Sequence, residues 1–318
     1  MFLESFKITG FAVIQIFLLG AIGYFMVKKN ILSHEGLDSL SRLVVEVVLP
    51  IFIFCQLIKG FSFGLYPNWW IFPLASIAIS AAGFLVGSIF IGFIRGQELK
   101  LQFLSLIAFQ NAGYLPLALV AALLPPDKLD SMFIYIFLFL FGFNLVIWSL
   151  GVYILSFTRA KKFELGSLFS PPVIATLVSL IFIYLGLGKF VPEVLLKPLR
   201  MVGDCTLPLA MFVVGGNLAS IHLSRIDKKA MLYMVLAKLI ILPALGLWLA
   251  IKFKFPELIG LLILIQLAVP PATSLSLIVR HYKKEDLFIS QGIFIGHILS
   301  LVTLPIFLSL YFTVRAIK

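Results

Sequence analysis

The sequence predicts an all-α polytopic membrane protein: ten transmembrane helices arranged as two inverted five-helix repeats, with the fourth and ninth spans broken. Three observations lead there. Of the 318 residues, 61% are hydrophobic and 12% charged, with a mean hydropathy of +1.12, more apolar surface than a soluble fold of this length can hide. The apolar residues fall in runs of about 20, the length that crosses a hydrocarbon core of about 30 Å. Finally, the two halves carry matching polar and proline motifs.

The spans run roughly 8–27, 38–58, 69–94, 100–124, 129–157, 171–188, 195–219, 230–252, 257–280 and 286–313. Connections are short; the longest polar one, 158–170, separates a first repeat (1–157) from a second (171–318). Glu4 and Lys7 precede the first span, Lys28 and Lys29 follow it, and no small-residue cleavage site lies between, so no cleavable signal peptide is expected. Cys55 and Cys205 lie in apolar segments without metal or redox spacing and read as packing residues, and no cofactor or metal is expected.

The net charge of +11 does not point to nucleic acid, because the cations sit in short loops. One side of the membrane receives Lys28, Lys29, Arg42, Arg95, Lys100, Arg159, Lys161, Lys162, Arg225, Lys228, Lys229, Arg280, Lys283 and Lys284. The other receives Lys7, Lys59, Lys128, Lys189, Lys197, Arg200, Lys252, Lys254, Arg315 and Lys318. The positive-inside bias makes the richer side, with the 158–170 linker, cytoplasmic and puts both termini outside the plasma (inner) membrane.

The repeat rests on two pairs. In span two, Glu46 stands four residues before Pro50; in span seven, Asp204 stands four before Pro208, at an offset of 158. In span four, Gln110 precedes Pro116; in span nine, Gln266 precedes Pro270 and Pro271, at an offset of 156. Five spans is an odd number, so the second copy enters the bilayer upside down, as in many secondary transporters. Proline at mid-membrane removes a backbone donor and frees carbonyls that lipid cannot satisfy. Two such breaks, related by the repeat, bring half-helix N-termini together near the midplane, where their partial positive charge suits an anionic group. Gln110, Asn111, Tyr114, Gln266, Thr273 and Ser274 supply hydrogen-bonding side chains in the same place.

Lys238, Glu46, Asp204 and His297 stand well inside their spans. Lys238, about 14 Å along a helix from Lys229, falls near mid-bilayer. It is expected to face the interior with a partner, as a coupling group or in a structural ion pair. Glu46 and Asp204 read as acid partners, proton carriers or cavity-lining residues. His297 reads first as a hydrogen-bonded packing residue and second as a proton relay. Asn144 and Asn217 are weaker candidates, and the two glycines before Asn217 suggest close helix packing.

"LGAIGYFMVKKNIL" (19–32), "LSRLVVEVVLPIFIF" (40–54), "FQNAGYLPLAL" (109–119), "TLPLAMFVVGGNLA" (206–219) and "AVPPATSLSLIVRHY" (268–282), in that order and spacing, resemble the auxin efflux carrier family, which includes the plant PIN carriers and bacterial malate- or malonate-type permeases. The resemblance runs along essentially the whole chain. It implies a fold similar to the bile-acid sodium symporters, with spans four and nine crossing at their prolines. Asn111 and Pro116 match the crossing in span four, and Pro270 or Pro271 that in span nine. It further implies a homodimer with an elevator-type motion, spans one, two, six and seven forming a scaffold while three to five and eight to ten carry substrate. The chain departs from the glycine-rich bacterial form of the span-four motif by having Gln110 before Asn111 and Leu115 before Pro116, and it lacks the long cytoplasmic loop of the plant auxin exporters.

The expected function is secondary active transport of a small organic anion, a carboxylate or an auxin-like acid, with a proton or sodium as coupling ion. The alternative is a ligand-binding membrane sensor that moves nothing. An enzyme is not expected, since no HExxH, GxSxG or protease-type aspartate pair occurs.

Overall fold

The computed structural model describes residues 1–156, 168–221, 223–224, 226–281 and 286–316. Residues 158–167 of the expected linker lie outside the described residues, as do Arg159, Lys161, Lys162, Arg225, Lys283, Lys284 and Lys318 from the charge count. Among the described residues, seven helices are long and apolar enough to cross a membrane: α1 (Phe2–Lys28), α2 (His34–Gly60), α3 (Ile71–Phe93), α6 (Pro126–Ser156), α8 (Glu193–Ala219), α9 (Lys228–Lys252) and α12 (Leu287–Arg315). Five shorter helices accompany them: α4 (Gln97–Ala108), α5 (Tyr114–Leu123), α7 (Pro171–Tyr184), α10 (Glu257–Ala268) and α11 (Ser274–His281). Where uninterrupted fourth and ninth spans would run, the chain forms the helix pairs α4–α5 and α10–α11.

Prolines inside the long helices are accommodated locally. In α2 the turn Val44–Val48 widens so that Leu49 N–H reaches back to Val44 O, just before Pro50. In α9 the turn Ala237–Ile241 does the same, Leu242 N–H bonding Ala237 O just before Pro243. Each π-turn absorbs the missing proline donor and ring clash without breaking the helix. In α8 the helix instead has a turn at Cys205, between Asp204 and Thr206. There α8 lies on the π-turn of α2: Thr206 Oγ1 donates to Val48 O at 3.3 Å, and a Cβ at Gly203 would sit 3.1 Å from Phe52 Cα.

Lipid gives no hydrophobic drive for helix to meet helix, so close packing must hold the bundle. Glycine supplies it at four backbone contacts. A Cβ at Gly215 of α8 would lie 1.7 Å from Gly20 O of α1, and one at Gly23 would lie 2.2 Å from Phe212 O. A Cβ at Gly142 of α6 would meet Pro73 O of α3 at 2.5 Å. A Cβ at Gly83 of α3 would meet Ala108 Cα at 2.5 Å, at the point where α4 ends. The glycines before Asn217 therefore do the packing expected of them. Beyond these contacts, α1 also packs on α12, where Thr9 Oγ1 and Ser309 Oγ lie 2.8 Å apart, while α2 packs on α7 and α8, and α9 on α10.

Gly215→Ala forces two backbones apart and is expected to destabilise the folded protein by about 1–3 kcal/mol. Gly10→Ala, which meets nothing within 4 Å, is expected to be neutral or slightly stabilising through helix propensity. Thermal unfolding of the two variants in detergent checks this; equal melting temperatures would refute the α1–α8 contact.

Candidate functional site

The two interruptions meet. After α4 the chain runs extended from Phe109 (φ −107, ψ 107) and resumes as α5 at Tyr114. After α10 it runs extended from Val269 (φ −67, ψ 149) and resumes as α11 at Ser274. The extended segments lie antiparallel, with Gln110 paired to Pro271. Asn111 N–H donates to Pro270 O at 2.8 Å, and Ala272 N–H donates to Phe109 O at 3.0 Å. Gln266 Nε2 adds a bond to Ala112 O at 3.0 Å. Backbone groups that a broken helix would leave bare are thus satisfied by the other break, as an apolar medium requires.

The two breaks have different local causes. Pro270 and Pro271 carry no N–H, and a residue before proline is pushed to extended geometry, which is where Val269 sits. Span four has no proline in its break. Pro116 lies inside the first turn of α5, where its missing N–H is not needed. Pro270 and Pro271 lie in the paired segment, and Pro116 does not: the segment that pairs with them is Phe109–Ala112, which precedes that proline.

A cavity of about 140 Å³ opens beside the crossing. Gln110, Asn111, Tyr114, Thr273 and Ser274, all named from sequence, line it, and so does the weaker candidate Asn144. The first residues of α5 and α11 both border it, so two helix N-termini, with partial positive charge and free N–H groups, face one space. Its other walls were not foreseen: Trp148 joins Leu140 and Asn144 on one face of α6, Val45 and Leu49 come from α2, and Ser170 and Pro172 from the start of α7. The four-residue spacing of Leu140, Asn144 and Trp148 is the signal that could have found the α6 wall. Among the described residues, no Asp, Glu, Lys or Arg lines the cavity.

Side-chain hydrogen bonding divides the polar groups. His297 is fully buried, with Nδ1 2.8 Å from Ile293 O and Nε2 3.3 Å from Asn111 Nδ2. A carbonyl only accepts, so Nδ1 carries the proton and Nε2 accepts from the Asn111 amide. Asn111 Oδ1 in turn faces Leu115 N–H at 3.5 Å, so the orientation of this amide is held from both ends. Gln110 contrasts with it: fully buried, neither of its side-chain amide atoms has a hydrogen-bond partner, and Gln266 Oε1 is in the same condition. An unpaired buried amide costs about 1–3 kcal/mol.

Lys238 is 1% exposed and lies in the π-turn of α9, which packs against α3, α4, α10 and α12. The expected partnership with Glu46 or Asp204 is not formed, and among the described residues no carboxylate lies within ion-pair distance of it. The reason is helix rotation. Both acids are exposed, and Glu46 pairs instead with Arg42 at 3.1 Å, one turn away on α2. Neither acid lines the cavity, although Val45 of the Glu46 turn does. The helices packed on the Lys238 turn each carry, somewhere along their length, a buried side-chain oxygen without a partner among the described residues: Ser80 on α3, Ser105 on α4, Gln266 on α10 and Thr303 on α12.

Removing either member of the Asn111–His297 pair leaves the other buried and unsatisfied, so Asn111→Ala and His297→Ala are each expected to destabilise by about 1–3 kcal/mol. The double variant should lose clearly less than the sum, a coupling of about 0.5–3 kcal/mol in a double-mutant cycle. Additive losses would show that the pair does not interact.

The comparisons with known proteins agree with this architecture. The sequence model of a family described as "Membrane transport protein" matches residues 10–166 and 156–308. The chain is 22% identical to Protein PIN-LIKES 1 of Arabidopsis thaliana over 96% of its own length and 79% of that protein's. It is 25% identical to an uncharacterized transporter of Methanothermobacter thermautotrophicus, over 92% and 95% of the two chains. A third relative, Protein PIN-LIKES 7 of Arabidopsis thaliana, is 22% identical over 86% of this chain and 89% of its own. The match covers most of the chain: this protein belongs to the membrane transport protein family of auxin efflux carriers and PIN-like proteins, a transporter family and not a family of enzymes.

Proposed function

We propose that the chain is a secondary active transporter of a small organic anion that binds at the crossing of the two interrupted spans. The observation that carries the reading is the cavity there, bordered by two helix N-termini and by Gln110, whose amide has no partner among the described residues. Helix N-termini offer an anion backbone N–H groups and partial positive charge without a buried ion to desolvate. A cavity of about 140 Å³ falls below the roughly 300–1,000 Å³ of sites for drug-sized ligands. That size favours a short carboxylate over a larger auxin-like acid. In this reading Gln110, Tyr114, Thr273 and Ser274 meet the substrate, Asn111 is presented by His297, Gln266 braces the crossing through Ala112 O, and Pro116, Pro270 and Pro271 shape the backbone.

The wider architecture follows from the same reading. Counting α4–α5 and α10–α11 as one span each gives ten spans in two inverted repeats, 1–157 and 171–318, joined by the 158–170 linker. The mutual packing of α1, α2, α7 and α8 supports their role as a scaffold. The cavity has Val45, Leu49 and Pro172 of that group on one wall and the crossing with α6 on the other. A binding site between two packed groups suits an elevator-type motion that carries the crossing past the scaffold, in a homodimer in the plasma membrane with both termini outside. Lys238, a buried lysine with no acid partner among the described residues, fits two coupling schemes: its ammonium stands in for a sodium ion, or it carries the coupling proton.

A thermal-shift panel tests the substrate class, with malonate, malate, other carboxylates and indole-3-acetate, each at two pH values with and without sodium. A ligand present at a hundred times its Kd stabilises the fold by about 2.7 kcal/mol, and a short carboxylate is expected to do so. Silence across the panel would overturn the organic-anion reading. In proteoliposomes Asn111→Ala is expected to abolish uptake while the protein still folds. Unchanged uptake would remove the crossing from the mechanism, and ligand binding by the wild-type protein without any uptake would indicate a sensor. Lys238→Met is expected to alter the pH or sodium dependence of transport; identical profiles would leave Lys238 a structural residue.

A further inference from the structure

A second cavity, of about 230 Å³, lies at the opposite end of α10 from the crossing segment, where the last turn of α9, the start of α10 and the end of α12 converge. Its lining divides by chemistry. Ala250, Ile251 and Val314 make an apolar wall, and Lys254, Arg315 and Tyr311 make a polar rim with no carboxylate in it. The rim is held in place. The guanidinium of Arg315 donates to Phe255 O and stands over the Tyr311 ring, 5.5 Å from its centroid. Tyr311 donates through its hydroxyl to Glu257 O at 2.6 Å. The carboxylate of Glu257 is itself engaged by Lys128 at 2.8 Å and is not turned to Arg315. Gly260 makes the room: a Cβ there would lie 2.8 Å from the Tyr311 hydroxyl and 3.3 Å from Arg315 Nη2.

Two further features bear on what fits. Lys254 adopts φ +51, a left-handed conformation that is costly for a residue with a long side chain and is found disproportionately at functional positions. Beside it stand exposed Trp248 and Phe253, the latter stacked on Phe255 at 5.9 Å, the aromatic grouping that marks the headgroup level of a bilayer. Two cations over an apolar wall, at that level, match an amphipathic anion. Basic pockets between membrane helices recognise phosphate-bearing lipid headgroups in this way, and arginine does so with a planar, multiply donating fork.

We propose that the Lys254–Tyr311–Arg315 cavity binds a phosphate-bearing anion, the headgroup of an anionic membrane lipid with the upper part of its acyl chain against Ala250, Ile251 and Val314. The site is independent of the crossing and of what is transported there. Anionic lipid held here would tie the ends of α9, α10 and α12 together at the membrane face.

The test is thermal unfolding and native mass spectrometry of the full chain in detergent, titrated with phosphatidylglycerol, phosphatidylcholine or inorganic phosphate. The variants are Lys254→Asn, Arg315→Gln and, as a control for general surface charge, Lys189→Gln. Asparagine tolerates the left-handed backbone, so Lys254→Asn removes the charge without straining the fold. Phosphatidylglycerol is expected to raise the melting temperature and remain bound, phosphatidylcholine to do neither, and the Lys254→Asn and Arg315→Gln double variant to bind phosphatidylglycerol roughly thirtyfold more weakly, at the usual worth of two cations near an anionic surface. Lys189→Gln should bind it as the wild type does. Stabilisation by inorganic phosphate alone, lost in Lys254→Asn, would keep the phosphate site and reassign its occupant to a soluble anion. Equal effects of the two lipids, or equal losses in Lys254→Asn and Lys189→Gln, would overturn the proposal.

Discussion

The structure depends on a pair of backbone hydrogen bonds. Asn111 N–H to Pro270 O and Ala272 N–H to Phe109 O join two chain segments that would each be unaffordable alone. In an apolar medium an unpaired peptide group costs several kcal/mol, and each extended segment supplies backbone hydrogen-bond partners to the other. Once the segments are paired, α5 and α11 begin at the same place and their N-termini border one cavity.

Around that pairing the neighbouring helices are cut to fit. Gly83 brings the α3 backbone against Ala108, where α4 ends, and a Cβ at Gly296 of α12 would meet Pro271 Cδ at 2.7 Å. His297, the next residue on α12, uses its protonated Nδ1 on its own helix and its free Nε2 on Asn111. A histidine in an apolar span thus acts through an asparagine in the crossing, which joins its packing role to the site instead of setting the two apart. Asn111 is held by His297 and by Leu115 N–H, while the neighbouring Gln110 amide has no hydrogen-bond partner among the described residues.

Much of the fold was legible in the sequence because the bilayer restricts the alternatives. Runs of apolar residues of spanning length have few fates in lipid, so helices, their order and their short connections follow from composition and period. Polar residues and prolines at mid-span are expensive, so Gln110, Asn111, Pro270 and Pro271 stood out. The same logic misjudged Glu46 and Asp204. Depth along a helix is readable from sequence position, but which way a side chain faces depends on how the helix is rotated against its neighbours. The widened turn at Val44–Val48, which shifts that rotation, is visible only in three dimensions.

The sequence by itself determined that this is an all-helical, polytopic membrane protein, and it singled out Gln110, Asn111, Pro270 and Pro271 as polar or proline residues within apolar runs. Those properties are local: they follow from hydropathy, proline chemistry and the cost of bare peptide groups. Only the tertiary structure decided that Phe109–Ala112 and not Pro116 makes the crossing in span four, that Trp148, Ser170 and Leu49 wall the cavity, and that Lys238 is buried without an acid beside it. Each of these depends on the register of one helix against another, set by glycine contacts and by backbone pairing between segments some 160 positions apart, as Gln110 and Pro271 are, and no local pattern encodes such a register.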